Sequence, residues 1–192
     1  MEYKPLLGAI AVFIALLSYI PYFTNMFRGK TKPHAFSWFL WGLLAAIAFA
    51  GQWIARGGAG SWVTGFTALA CFVISSFAFS KGDKSFNRLD WFCLIGALSA
   101  LALWFFTNDP VRAVILTTFT GAVAFVPTFR KGYFKPEEET ILTFVMSSTK
   151  FIFGLFALQS LTLTTVLYPS VMLCMNAACA CMLALRRGQL RK

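Results

Sequence analysis

Thr143, Ser147, Lys150 and Gly154 are spaced four, three and four residues apart, so a helix would carry them on one face. They lie in a long apolar run, with Lys150 about ten residues, roughly 15 Å, from either end. A lysine stem spans only part of that distance, so full snorkelling to an interface is hard. Lysine at the centre of a membrane helix costs about 2.5–3.5 kcal/mol, which argues for a wet or paired setting. The chemistry on offer is a buried cation attracting an anionic or carbonyl-bearing ligand. The plainer alternatives are a lysine snorkelling along a tilted helix, or a neutral one bonded to backbone carbonyls. The acids Glu2, Asp83, Asp90, Asp109 and Glu137-Glu138-Glu139 all stand at the ends of apolar runs or between them. Proton-coupled carriers commonly use an intramembrane carboxylate. With none in mid-run, and His34 at one mouth, a facilitator is favoured.

Softer polar stripes accompany this one. They are Ser18, Tyr22 and Asn25; Thr64, Thr67, Cys71 and Ser75; Thr117, Thr120, Gly121 and Ala124; and Tyr168, Met172, Asn176 and Cys179. Serine and threonine in such positions commonly bond their own backbone or join helices. Asn176 has more donors and acceptors to satisfy, which marks it as a cavity candidate beside Lys150, Ser147 and Tyr22. Trp41 and Trp53 suit either an interfacial belt or an aromatic wall. Pro21 and Pro127 each free a carbonyl one turn earlier and are the hinge candidates.

Other chemistries are poorly served. The five cysteines all fall in apolar runs, and one histidine accompanies them without metal-ligand spacing, so neither a metal nor a cofactor is expected. Gly57-Gly58-Ala59-Gly60 lacks the basic residue and hydroxyl of a phosphate loop and reads as a flexible turn. No nucleophile–base spacing appears, so the chain is not read as an enzyme.

The elements that would position these residues follow from composition. The 192 residues are 58% hydrophobic and 12% charged, with mean hydropathy +0.70. That is too little charge to clothe a soluble domain and too much apolar character for disorder. An all-α integral membrane protein in a lipid bilayer is left. A net charge of +10 would suggest nucleic acid in a soluble chain, but here the basic residues cluster at helix ends and no nucleic acid is expected. The apolar runs predict seven transmembrane helices at 5–25, 34–53, 61–80, 90–107, 109–129, 139–159 and 163–185. The N-terminus reads as the first of these and not as a signal peptide. Of the 17 Lys and Arg, thirteen fall on one side: Arg28, Lys30 and Lys32; Lys81, Lys84 and Arg88; Arg130, Lys131 and Lys135; and Arg186, Arg187, Arg191 and Lys192 in the tail. Lys4, Arg56 and Arg112 mark the other side, and Lys150 is left within a span. The positive-inside rule then places the N-terminus outside and the C-terminus in the cytosol.

The chain also repeats. Tyr19-Ile20-Pro21 and Phe125-Val126-Pro127 each precede a phenylalanine, a basic loop and a second proline, Pro33 or Pro136. Ser37 falls on Thr140, Gly51 on Gly154 and Cys71 on Cys174 at one constant offset. This predicts two parallel three-helix bundles joined by a linker helix, with units at 1–80, 81–108 and 109–192.

That plan, with a proline ending the first helix of each triad before a basic loop, resembles the PQ-loop and SWEET-like superfamily of seven-span transporters. The segment from Phe27 through Trp41 resembles a bacterial branch, which implies the inner membrane. The name-giving Pro-Gln pair reads Pro21-Tyr22 and Pro127-Thr128 here. The substrate-site asparagine of the last helix is matched by Asn176, and its counterpart in the third span is Val73. The resemblance implies a transporter moving a small polar or anionic solute by alternating access, with copies of the chain as a compatible partner. A receptor or scaffold on the same fold, binding a peptide or partner without transport, is the other reading.

Overall fold

The computed structural model describes residues 3–28, 34–81, 84 and 88–190, without the side chains of Asn25, Lys131 and Glu138. The positions Glu2, Lys30, Lys32, Pro33, Asp83, Arg191 and Lys192, used above for topology and the repeat, lie outside the described residues. The chain is helical: α1 (Tyr3–Phe27), α2 (Ala35–Ile54), α3 (Trp62–Lys81), α4 (Arg88–Thr107), α5 (Pro110–Val123), α6 (Val126–Phe134), α7 (Ile141–Phe156) and α8 (Leu163–Leu190). Short 3-10 turns, Gly58–Ser61 and Pro136–Glu138, precede α3 and α7. Six segments are long and apolar enough to cross a membrane, with α5 and α6 together forming one of them. These are compatible with a multi-pass integral membrane protein.

Burial is reversed relative to a soluble domain. Phe13, Leu69, Ile95, Phe105, Leu142 and Phe156 are exposed, whereas Ser18, Gln52, Thr64, Thr117, Thr165 and Lys150 are buried. Such an apolar exterior suits lipid, which has no use for polar side chains. Small residues at Ala11, Ala15, Ala45, Ala48 and Ala68 line the central core and let the helices approach closely. Neighbouring helices follow the order α1–α3–α2–α5–α8–α7, and α7 packs back on α1 to close a ring. α4 stands outside that ring against α5 and α2.

Several expectations change. The span predicted at 109–129 ends early as α5, turns at Ala124-Phe125, and restarts as α6 with Pro127 in its first turn. Pro127 has no N–H for the carbonyl four residues back, and its fixed φ suits a helix start. Arg130 and Lys131, expected in a loop, are therefore helical. The span predicted at 139–159 is the 16-residue α7, about 24 Å long against a hydrocarbon layer of about 30 Å. Pro136 does not open it but sits in the 3-10 turn before it. The glycine-rich 57–60 segment is a packed wedge instead of a flexible turn. A Cβ on Gly60 would stand 2.5 Å from the Gly154 carbonyl oxygen, and one on Gly8 would stand 2.6 Å from that of Ala59. Gln159 N–H donates to Gly57 O at 2.9 Å, and Lys4 Nζ donates to Leu158 O at 2.6 Å. One end of the ring is thus closed by backbone against backbone.

The opposite end is held by α8, which continues past the predicted 185 to Leu190. Arg187 donates to the carbonyls of Pro136 and Glu139 and pairs with Glu137 at 3.5 Å. Arg187→Ala is expected to destabilise the fold by about 1–2 kcal/mol, because two backbone acceptors lose a charged donor. Unfolding of the detergent-solubilised protein would read this; an unchanged midpoint would mean that the clamp contributes nothing.

Candidate functional site

Lys150 lies on the α7 face turned into the ring. Its exposure is 2%, so the stem does not reach an interface. Nζ donates to Thr67 Oγ1 of α3 at 3.1 Å, and Thr67 in turn donates to its own Val63 carbonyl at 2.7 Å. The ammonium also stands 5.2 Å from the Tyr19 ring centroid of α1 and 5.1 Å from that of Phe151. Tyr168 of α8 meets Phe151 edge-on, with ring centroids 6.5 Å apart. Side chains of α1 and α3 therefore meet the α7 amine, with α8 behind the Phe151 ring. Among the described residues, His34–Asp90, Arg112–Asp109 and Arg187–Glu137 approach as ion pairs, and Lys150 is in none of these.

The stripe that marked Lys150 is sorted by this packing. Gly154 is buried against Val63, where a Cβ would stand 2.6 Å from Cγ1. Ser147 is half-buried, and Thr143 is exposed. The adjacent Ser148 is the buried hydroxyl, donating to Phe144 O at 3.0 Å. The other candidates make separate contacts. Asn176 is buried but donates to the Met172 carbonyl of its own helix at 2.7 Å. Tyr22 accepts from Trp38 Nε1 at 2.8 Å. Trp41 packs edge-on against Phe125 at 5.1 Å. Pro21 lies inside an unbroken α1, and Pro127 follows the α5–α6 break. Pro169 is a further proline inside a helix, in α8, that the sequence reading passed over.

Two polar features were not read from the sequence as units. The first is a buried set of unsatisfied atoms. Gln52 Oε1, Thr64 Oγ1 and Thr117 Oγ1 have no hydrogen-bond partner among the described residues, and all three side chains are fully buried. Gln52 uses its amide nitrogen on Thr165 O at 3.1 Å. Thr64 is one turn from Thr67 on the same face of α3. Thr117 lies on the α5 face that meets α2 and α8, between Val114, which packs on Gly51, and Gly121, which packs on Met172. Unsatisfied buried hydroxyls are uncommon in native interiors and call for a physical reason.

The second feature joins the start of α2 to the first turn of α4. His34 caps α2, accepting from Ser37 N–H at 3.2 Å, and its Nδ1 lies 2.8 Å from Ser37 Oγ. Ser37 Oγ donates to Asp90 Oδ1 at 3.2 Å, and His34 Nε2 is 4.0 Å from Asp90 Oδ2. Asp90 is only 4% exposed, although the sequence places it at a helix end. It lines a cavity of about 200 Å³ with Ser37, Trp41, Cys93, Pro127 and Thr128. Serine bonds the carboxylate directly here, so the trio does not form the serine–histidine–carboxylate relay of a hydrolase.

The five cysteines are free. Among the described residues, no group of three or more His, Cys, Asp or Glu could hold a metal ion. No family model matches the chain, and no curated protein and no solved structure does either.

Proposed function

We propose that the protein is a membrane carrier that moves a small polar or anionic solute by alternating access, with the Lys150 site as its binding centre. The observation that carries this reading is Lys150 itself, 2% exposed and contacted by side chains of α1, α3 and its own α7, with no carboxylate paired to it among the described residues. An uncompensated cation in the middle of an apolar bundle is expensive, and intramembrane ionisable groups mark solute pathways.

The helix order supports a division into two triads, with α5 and α6 forming one crossing and α7 the sixth of seven. Exchanging α1, α2 and α3 for α5, α7 and α8 maps the neighbour pairs α1–α3 and α2–α3 onto α5–α8 and α7–α8. The same exchange maps the α2–α5 contact onto α7–α1. Two parallel repeats about an axis along the membrane normal, with α4 as the linker, would produce these pairings. The wedge at Gly58–Ser61 closes one end of the ring, and the α5–α6 break before Pro127 supplies a point of bending near the other. Pro21 is the matching position in the first triad, with rocking of the triads exposing the site alternately.

Counterflow in liposomes reconstituted with the full chain tests the reading. Saturable exchange of one solute class, among organic acids, amino acids, sugars and nucleosides, is expected. In Lys150→Ala it is expected to fall to the protein-free level while the protein still purifies as a folded species. Solute binding without exchange would overturn transport and leave a receptor.

A further inference from the structure

We infer that the Lys150 site selects a small monocarboxylate, a carboxylate with a short apolar body. This rests on the carrier reading for the site's place on a route, and goes beyond it in naming the substrate class. Lys150 and Asp90 are the buried charged side chains among the described residues, and Asp90 is engaged with Ser37 and His34 at the α2–α4 junction. The solute at Lys150 therefore meets one positive charge.

A lysine ammonium has three N–H donors. One reaches the Thr67 hydroxyl, and the ammonium otherwise faces the rings of Tyr19 and Phe151. A carboxylate oxygen would replace a ring contact by a charge-assisted hydrogen bond, which is shorter and about twice as strong as a neutral one. Carboxylate and ammonium together are neutral, so the interior carries no net charge while the site is loaded. A dianion such as a phosphate ester would leave one uncompensated negative charge there, at a desolvation cost of several kcal/mol.

The Thr64 hydroxyl, one turn from Thr67 on α3, provides for the rest of the head group. Thr67 gives its proton to Val63 O, but the Thr64 hydroxyl has no partner. An uncommitted O–H can donate to a carboxylate's remaining lone pairs, whereas a carboxylate in a purely apolar pocket would be left underbonded. Around the head group stand Tyr19 and Phe151, with Tyr168 behind Phe151 and Ala45, Ala48 and Ala68 in the same core. Those surfaces suit a short alkyl body and offer few partners to a solute bearing many hydroxyls.

Calorimetric titration of the full chain in detergent, at neutral pH, tests the class with three probes. Propionate should bind. Propionamide has nearly the same shape without the charge, and succinate adds a second charge; both should bind about tenfold or more weakly. In Lys150→Gln the preference for propionate over propionamide should vanish. Propionamide or succinate binding as tightly as propionate, absence of propionate binding, or a preference that survives Lys150→Gln would each overturn the inference. The comparison of probes on the unsubstituted protein decides even where the variant does not fold. Propionate counterflow, measured separately, distinguishes the two claims. Charge-selective binding without flux overturns the carrier and keeps the class, whereas flux of another solute without propionate selectivity does the reverse.

Discussion

Gly60→Ala is expected to destabilise the protein by about 3 kcal/mol, at the upper end for adding one methyl group to a packed interior. The new Cβ would stand 2.5 Å from Gly154 O, 2.6 Å from Leu158 N and 2.7 Å from Leu158 Cα. All three are backbone atoms, so no side chain can rotate out of the way. The end of α7 would have to retreat, stretching the Gln159 N–H bond to Gly57 O and the Lys4 bond to Leu158 O. Gly188→Ala is the matched control. It sits near the end of α8 with nothing within 4 Å of an added Cβ. There alanine removes glycine's backbone freedom and should stabilise by about 0.5–1 kcal/mol. Thermal unfolding in one detergent should move the two midpoints in opposite directions. Equal, small shifts would mean that the wedge is not packed as the structure has it. Under the proposed carrier reading, opening this end requires Gly60 to separate from Leu158, so a weakened wedge should also favour the open state.

The helices legible in the sequence were those of bilayer length bounded by charge or turn residues. The run predicted at 34–53 is Ala35–Ile54, and that at 90–107 is Arg88–Thr107. Legibility failed where two local signals competed. Near Pro127 the apolar run continued while the missing N–H broke the ladder, and the charge of Arg130 and Lys131 suggested a loop where a second helix forms. Lys150 was legible as a candidate because helix spacing and the shortage of nearby acids are both properties of sequence, and the structure buries it. Its partners were not. Thr67 stood on a recognised stripe, and Tyr19 was noticed only as part of the motif before Pro21; which stripes face one another depends on the order of helices around the ring. Asp90 is the plainest omission. A carboxylate in the first turn of a helix normally answers the helix dipole at a surface. Only the approach of α2 turns this one into a buried partner of Ser37.

Lys150→Met should raise stability by about 1–2 kcal/mol and abolish solute exchange. Lysine in mid-membrane carries a cost of about 2.5–3.5 kcal/mol, offset here by one hydrogen bond worth about 1 kcal/mol and by two ring faces. Methionine is unbranched and close in length, and its sulfur makes favourable contacts with aromatic rings, so it recovers most of the ring attraction. Thr67 is not orphaned by the change, because its hydroxyl already donates to Val63 O at 2.7 Å. The cost of the buried amine is then removed, with one hydrogen bond lost. Thermal unfolding of the two proteins in the same detergent reads the sign, and counterflow in liposomes reads the function. A midpoint lowered by more than about 1 kcal/mol would identify Lys150 as a structural strut. A raised midpoint with lost exchange would identify a group retained at the expense of stability, as expected of a binding cation whose counter-charge arrives with the solute.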